Sequence, residues 1–382
     1  MTTKTLLTTF LSASFVLGIT AGPLYGATLT TELNTLVDQQ KIARAKQSVC
    51  IEQNGVDTLS YNAQTRIIPA SVSKLYTFDF ALATLPEDFR YTTNFYVQGT
   101  TLYINGAGDP HFVAEHLTKV LTTVQSEKNI VIDHIVFTPG FYFNWEMAPA
   151  AVQTALANAV RNTPGMPVSP NVRITLSLVP YNGKGTSYQF SSAPLPALLK
   201  QINNYSTNIS ADILLSRLGG PVAFSEYMKK TYDAGPETVS FMTGSGLYGN
   251  YTTCALTLRV IKHLESQLKE RDLEVTDVLS MPKVDPGVIE KRAINMDGKN
   301  AIVAKSGFVN YHHALAGVIN TADKPAYFAI FTNYNFMAQT SAVKTMVDQY
   351  TEKILAHFSP TLESFDYAPD PSIFEDVLIK KL

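Results

Sequence analysis

The stretch PASVSKLYTFDFALATL, residues 69–85, decides the fold of this chain of 382 residues. After the opening Pro-Ala pair, apolar side chains recur at helical spacing and almost no charge interrupts them. The next residue, Pro86, cannot continue a helix. The pattern therefore predicts a buried helix over 71–85, with Ser71 at its amino-terminal end.

Ser71 and Lys74 are three residues apart in this helix, so their side chains lie on one face, one turn apart. The amino-terminal end of a helix favours negative charge that develops on the Ser71 oxygen. Lys74 can accept the hydroxyl proton if burial or a second cation lowers its pKa from about 10.4 to about 7–8. The pair predicts a nucleophilic serine with a lysine as its base.

The same Ser-x-x-Lys spacing also occurs at 266–269 and 341–344. Both copies lie in charged or terminal amphipathic patterns, for which a solvent-exposed helix face is the simpler interpretation. Ser71 differs because the uncharged helix that follows it indicates burial.

A second polar triplet, Ser206-Thr207-Asn208, stands at a break between two helical stretches. Ser206 there could relay a proton to a leaving amine, and Asn208 could bind a substrate amide. A helix-breaking cap remains an alternative, because serine and asparagine compete for local backbone hydrogen bonds. The spacing recurs at 169–171, where the proline at the centre favours a turn.

A third triplet, Lys305-Ser306-Gly307, ends the apolar strand predicted over 301–305. It offers a lysine for a cleft, a hydroxyl for a carboxylate and a glycine that allows close approach of a substrate. A solvated strand end followed by a turn is the alternative interpretation. Of the three Ser-x-x-Lys copies, only the first precedes both other triplets, so the joint order supports a single site.

This order resembles the nucleophile arrangement of penicillin-binding proteins and serine β-lactamases, with Lys-Ser-Gly in place of the usual Lys-Thr-Gly. Three further segments are similar to the D-Ala-D-Ala carboxypeptidase/endopeptidase family, the class C low-molecular-mass penicillin-binding proteins. They are Ile104–Pro110 (INGAGDP), Thr243–Leu247 (TGSGL) and Ala314–Gly317 (ALAG). The resemblance runs over residues 30–358, nearly the whole chain after the leader.

The resemblance implies an α+β, transpeptidase-like fold, an antiparallel sheet covered by helices. It implies hydrolysis of D-Ala-D-Ala peptides of peptidoglycan through an acyl-serine, covalent binding of penicillin, and no cofactor or metal. Carried over residue by residue, it implies a catalytic set of Ser71 as nucleophile, Lys74 as base, Ser206 and Lys305 as proton carriers, and Asn208 to orient the peptide. Substrate binding would fall to Ser306, Gly307 and Phe308, and the N–H groups of Ser71 and Phe308 would form the oxyanion hole.

Two features depart from the family pattern. Phe308 replaces the hydroxyl-bearing residue that usually follows Lys-Thr-Gly, which predicts altered or weakened carboxylate recognition without loss of acylation. The chain is also shorter between Ser71 and Ser206 than is usual, which indicates that one inserted domain is trimmed or missing.

The remaining patterns divide the chain. A charged residue and the apolar run 6–19 predict a cleavable secretory signal over 1–27, and hence an exported, periplasmic protein without a transmembrane anchor. A penicillin-binding domain is expected over 28–90 plus 181–360, an inserted strand-rich subdomain over 91–180, and a tail over 361–382. Within these, helices are expected at 28–47, 195–218 with a break, 252–269 and 338–357, and strands at 47–52, 58–62, 313–319 and 327–332.

Composition excludes other classes of protein. The 16% of charged residues and the net charge of −2 leave no cationic surface for nucleic acid.

Cys50 and Cys254 are far apart in the sequence, and free thiols are slightly favoured over a bridge between them. The seven histidines form no metal motif. A β-lactamase or esterase on the same scaffold, or a catalytically silent wall-binding homologue, remains an alternative; the oligomeric state stays open.

Overall fold

The computed structural model describes residues 22–294 and 298–382. Its strands are β1 Gln47–Gln53, β2 Val56–Tyr61, β3 Thr92–Gln98, β4 Thr101–Asn105, β5 Ile132–Phe137, β6 Val168–Leu176, β7 Thr186–Ser191, β8 Ile302–Val309, β9 His312–Ile319, β10 Ala326–Asn333 and β11 Leu378–Lys381. Its α-helices are α1 Gly22–Gln39, α2 Ser73–Thr84, α3 Ala114–Lys128, α4 Pro149–Asn162, α5 Leu195–Tyr205, α6 Asn208–Arg217, α7 Gly220–Tyr232, α8 Cys254–Lys269 and α9 Thr340–Phe358.

The first sheet joins the two ends of the chain. Its five strands have the order β2-β1-β10-β9-β8 and are all antiparallel. β1 and β2 form a hairpin whose turn is Asn54-Gly55, and the φ angles of 55° and 76° at these two residues suit a two-residue turn. The predicted α+β fold, with an antiparallel sheet covered by helices, is confirmed.

Helices cover both faces of this sheet. Helices α2 and α8 pack on one face, and α1 and α9 pack on the other. Neighbouring strand residues such as Ala329 and Ile330 therefore enter separate apolar cores on opposite faces. This explains why the last three strands read as continuous apolar runs without polar alternation.

A second sheet has the order β11-β7-β3-β4-β5-β6. Helices α3 and α4 pack against one of its faces through residues such as Leu117, Leu121 and Leu156. These two helices were not predicted, although their apolar residues have helical spacing. The division at 91–180 stays a prediction; strands of this sheet also lie at Thr186–Ser191 and, from the tail, at Leu378–Lys381.

Several sequence-based expectations need correction. The first helix ends at Gln39, and 47 already begins β1, because Lys41 takes a left-handed φ of 55° that stops the helix. Cys50 and Cys254 are joined in a disulfide, so the preference for free thiols is wrong. Helix α8 starts against β1 and brings their Cα atoms to 5.8 Å, a proximity that sequence separation hides.

The predicted signal segment lies outside the described residues, apart from 22–27, which fall in the first helix. Among the helices that the structure describes, none has the length and apolar character needed to cross a bilayer.

Candidate active site

Ser71 lies in a 3-10 turn, Ala70–Val72, that leads into α2. Ala70 has a φ of 48°, in the left-handed region that residues with a Cβ rarely adopt, and it is fully buried. Such a backbone persists only where the surrounding packing imposes it. The bend sets Ser71 just before the regular helix, one turn from Lys74.

Lys74 is completely buried and contacts three oxygens. Its Nζ lies 3.0 Å from Ser71 Oγ, 2.8 Å from Asn208 Oδ1 and 3.1 Å from the Ser245 carbonyl oxygen. Burial lowers the pKa of Lys74 to about 7, and the negative charge of Asp212 partly opposes this effect. A large share of the amine is therefore neutral near pH 7 and able to accept the proton of Ser71.

Ser206 and Lys305 form a second pair. Ser206 caps the end of α5 with a left-handed φ of 53°, and Asn208 begins α6. The buried Lys305 donates from Nζ to Ser206 Oγ at 3.1 Å. Burial and the charge of Lys74 hold the pKa of Lys305 well below its ordinary value. The structure thus brings all three predicted motifs together.

A buried amide network connects α5 to β8 and holds this second pair. Asn203 donates from Nδ2 to Ser280 Oγ at 2.7 Å and to the Ala304 carbonyl at 3.3 Å. Ser280 in turn donates to Asn204 Oδ1 at 2.6 Å. Because Ala304 precedes Lys305, the network fixes the distance between the two elements that carry the pair. It was not predicted, since no sequence motif marks these residues.

The third motif places β8 against the turn that carries Ser71. A Cβ on Gly307 would lie 2.8 Å from the Pro69 carbonyl oxygen, so only glycine allows this approach. Ser306 is buried beside it, whereas Phe308 remains 49% exposed.

The Thr243–Leu247 segment packs against the turn that carries Ser71. Gly246 has a φ of 80°, and a Cβ there would lie 1.9 Å from the Ala70 carbonyl oxygen. The Ser245 N–H donates to Asp212 Oδ1 at 2.7 Å, while the Ser245 carbonyl accepts from Lys74. Asp212 was not predicted from the sequence, although it lies four residues after Asn208, on the same face of α6.

The other family-like segments are structural. In Ile104–Pro110, the buried Asp109 accepts the N–H of His111 at 2.8 Å, which shapes a turn. In Ala314–Gly317, a Cβ on Gly317 would lie 2.0 Å from the Val303 carbonyl oxygen, so this glycine allows β8 and β9 to pair. The competing Lys269 is an exposed residue paired with Glu265, as its amphipathic pattern indicates.

Two cavities flank the Ser206-Thr207-Asn208 triplet. One, of about 450 Å³, is lined by Ile209 and Asp212 of α6 and by Gly108. The other, of about 490 Å³, is lined by Thr207 and by Trp145. Both lie between the helices of the site and loops of the second sheet, so there is room for an extended chain on either side of the triplet.

We expect Gly246→Ala to lower the free energy of unfolding by about 3 kcal/mol, because its Cβ would collide with the backbone beside Ser71. Gly55→Ala is the matched control, since Gly55 has a similar φ of 76° but no atom within 4 Å of its added Cβ. It should cost only about 1 kcal/mol. Urea unfolding measures both values. Equal losses would show that the approach to Ala70 carries no extra strain.

We expect Asp212→Asn to move the acid limb of the acylation rate to lower pH. The aspartate charge favours protonated Lys74, so its removal lowers the pKa of Lys74 further and extends the neutral amine to more acidic solutions. Asparagine retains an oxygen that can accept the Ser245 N–H. The rate of benzylpenicillin acylation against pH measures the limb, and Asp88→Asn, at an exposed site, is the control. An unmoved or raised limb would contradict the assigned charge effect.

Comparison with known proteins agrees with this arrangement. Residues 29–155 match the sequence profile of the D-Ala-D-Ala carboxypeptidase 3 (S13) family. No protein with curated annotation matches the chain.

Solved structures share the fold over most of the chain. A single-substitution form of the predatory endopeptidase Bd3459 from Bdellovibrio bacteriovorus is 21% identical with a TM-score of 0.75, and the match covers 88% of this chain and 99% of that one. Penicillin-binding protein 4 from Haemophilus influenzae is 16% identical with a TM-score of 0.63, covering 85% of this chain and 99% of that one. The predicted resemblance to this family is therefore confirmed over residues 29–155, and the chain has the fold of penicillin-binding protein 4.

Proposed function

We propose that the protein is a serine-type D-alanyl-D-alanine carboxypeptidase/endopeptidase that cleaves peptidoglycan peptides through an acyl-serine intermediate. One observation carries the proposal: a buried lysine with a pKa of about 7 lies 3.0 Å from Ser71 Oγ, at the start of a helix. A lysine that only stabilised the fold would gain little from a neutral amine aimed at a serine hydroxyl.

In the proposed acylation, Ser71 Oγ attacks the carbonyl carbon of the scissile D-Ala-D-Ala bond and gives its proton to Lys74 Nζ. Backbone N–H groups of Ser71 and Phe308 stabilise the oxyanion of the tetrahedral intermediate. As the C–N bond breaks, the Ser206 hydroxyl donates a proton to the leaving amine. Lys305 Nζ, 3.1 Å from Ser206 Oγ, restores that proton and is itself reprotonated by the Lys74 ammonium, whose charge acts on it directly. The departing amine leaves neutral, and Lys74 is again a free base before deacylation.

In the proposed deacylation, a water molecule attacks the ester of Ser71 and gives a proton to Lys74. The ester C–O bond then breaks, Ser71 regains its proton, and the peptide leaves as an acid. Asn208 orients the peptide amide, and Ser306 with Gly307 accommodates the carboxylate side of the substrate. The supporting facts are the contact of Asn208 Oδ1 with Lys74 and the closeness of Gly307 to the turn that carries Ser71.

Two similar structures agree with this chemistry. One is a penicillin G-acylated form of the Bd3459 endopeptidase, and the other is a β-lactam complex of penicillin-binding protein 4. We therefore infer that β-lactams acylate this chain too. Peptidoglycan lies outside the cytoplasmic membrane, so the proposed activity also requires export, which the apolar segment 6–19 supports.

The test is the intact mass of the protein after brief exposure to benzylpenicillin, followed by peptide mapping and an assay of D-Ala release from a pentapeptide. We expect a persistent adduct of one penicillin on the peptide that contains Ser71, together with D-Ala release. Penicillin already hydrolysed to penicilloic acid is the reagent control and should leave no adduct. Rapid turnover of penicillin without an adduct would favour a β-lactamase. Absence of both adduct and turnover would favour a catalytically silent homologue.

A further inference from the structure

Phe308 is an exposed aromatic side chain at the edge of the proposed site. It lies two residues after Ser306 on β8, and residues two apart in a strand point to the same face. Its 49% exposure is unusual for a phenylalanine whose strand is otherwise buried up to Gly307. The ring therefore stands beside the hydroxyl proposed to meet the carboxylate of the leaving amino acid.

The Phe308 ring is held in place by stacking on the side chain of His313. Phe308 pairs in register with His313 on β9, and their rings are stacked with centroids 4.7 Å apart and planes 28° from parallel. His313 is buried, and its other neighbour, Tyr334, lies nearly parallel to it at 5.9 Å. Tyr334 is anchored by a hydrogen bond from its hydroxyl to the Asn310 carbonyl at 3.1 Å.

This stack of three rings leaves the apolar Phe308 ring exposed to solvent on the strand face that also carries Ser306. Burial lowers the pKa of His313 to about 4, so its imidazole is neutral near pH 7 and brings no charge to the stack. An exposed phenyl ring cannot hydrogen-bond a carboxylate. It can pack against aliphatic carbon, and each methylene group that it covers favours binding about fourfold.

We propose that Phe308, stacked on His313, is the specificity-determining residue for the leaving group, and selects an amine with an extended aliphatic chain over free D-alanine. The inference rests on the proposed function. A leaving D-alanine offers one methyl group to the ring. A diamino acid that cross-links two stem peptides offers several methylene groups attached to the same amine-bearing carbon. The Phe308 ring can pack against these groups and therefore favours the cleavage of cross-links.

The test compares two synthetic peptides that share one acyl half and differ only in the leaving group, D-alanine or a diamino acid joined through its side-chain amine. We expect the natural protein to favour the second by about tenfold in kcat/KM, and Phe308→Thr to lose that preference. Phe308→Leu keeps an apolar side chain at this position and should retain most of the preference. Phe336→Thr is the control, since Phe336 is a 65% exposed phenylalanine in the segment after β10 and should not alter the ratio.

The stacking of His313 on Phe308 can be tested separately, through its effect on the leaving-group preference. His313→Ala frees the ring and should lower the preference, whereas His313→Phe restores an aromatic neighbour and should return it. A ratio near one in the natural protein, or an unchanged ratio in Phe308→Thr, would overturn the inference while penicillin acylation still supports the proposed function. Failure of the natural protein to be acylated by penicillin would overturn the proposed function and this inference with it.

Discussion

The Ser71→Ala variant is expected to form no benzylpenicillin adduct and to lose about four to six orders of magnitude in kcat/KM for D-Ala release. The change removes one oxygen, which lies 3.0 Å from Lys74 Nζ. Without it no acyl-enzyme can form, and the neutral lysine and the backbone donors supply only residual rate enhancement. Intact mass and released D-Ala, measured side by side, give the two readouts.

Ser73→Ala is the matched control for this loss. Ser73 is buried two residues further along the same helix start, and its Oγ accepts a hydrogen bond from Asn250 Nδ2 at 3.0 Å. Asn250 keeps its other bond, to the Thr243 carbonyl, when that oxygen is removed. The control should cost about 1–2 kcal/mol of stability and keep full adduct formation. An adduct on Ser71→Ala would show that another residue is the nucleophile.

Lys74→Ala is expected to slow acylation by about 10²- to 10⁴-fold, because the general base is lost. In the natural protein the rate should rise about tenfold per pH unit below pH 7 and level off above it. The direction of this pH dependence follows from the Lys74 pKa of about 7. Below that pH Lys74 is an ammonium ion without a lone pair, and above it the amine is free to take the proton. Acylation rates between about pH 5 and pH 9 measure the limb.

Two further variants sharpen this test. Lys74→Arg should not rescue the rate, since a guanidinium stays protonated throughout this range. Lys269→Ala removes the lysine of a competing Ser-x-x-Lys copy, which is 54% exposed and paired with Glu265, and should leave the rate unchanged. A flat pH profile in the natural protein would contradict the assignment of Lys74 as base, whatever the effect of Lys74→Ala.

Local patterns predicted most of the elements that carry the site. The helix after Ser71, the break between α5 and α6 at Ser206, and the three apolar strands near the carboxyl end lie within a few residues of their expected positions. These features depend on hydrophobic period and on residues that interrupt it, both of which act over a few positions. Helices α3 and α4 were missed because their short apolar faces alternate with strands of similar composition.

The electrostatics of the site could be anticipated only in part. The sequence required burial or a second cation near Lys74, and the structure supplies the burial. Asp212 opposes the shift through its charge, and the Asn203–Ser280 network holds Lys305 near Ser206. Both act on residues that are far away in the sequence. No spacing rule covers such contacts.

By itself the sequence determined the resemblance to the family, the order of the three motifs and the departure at Phe308, because each depends only on which residues follow one another along the chain. Only the tertiary structure decided how these residues meet. The left-handed turn at Ala70, the approach of Gly246 and Gly307 to it, and the Cys50–Cys254 disulfide all arise where segments distant in the chain pack together. Burial, and with it the lowered pKa of Lys74, is a property of that packing: desolvation comes from every neighbour at once, and no single stretch of chain contains them all.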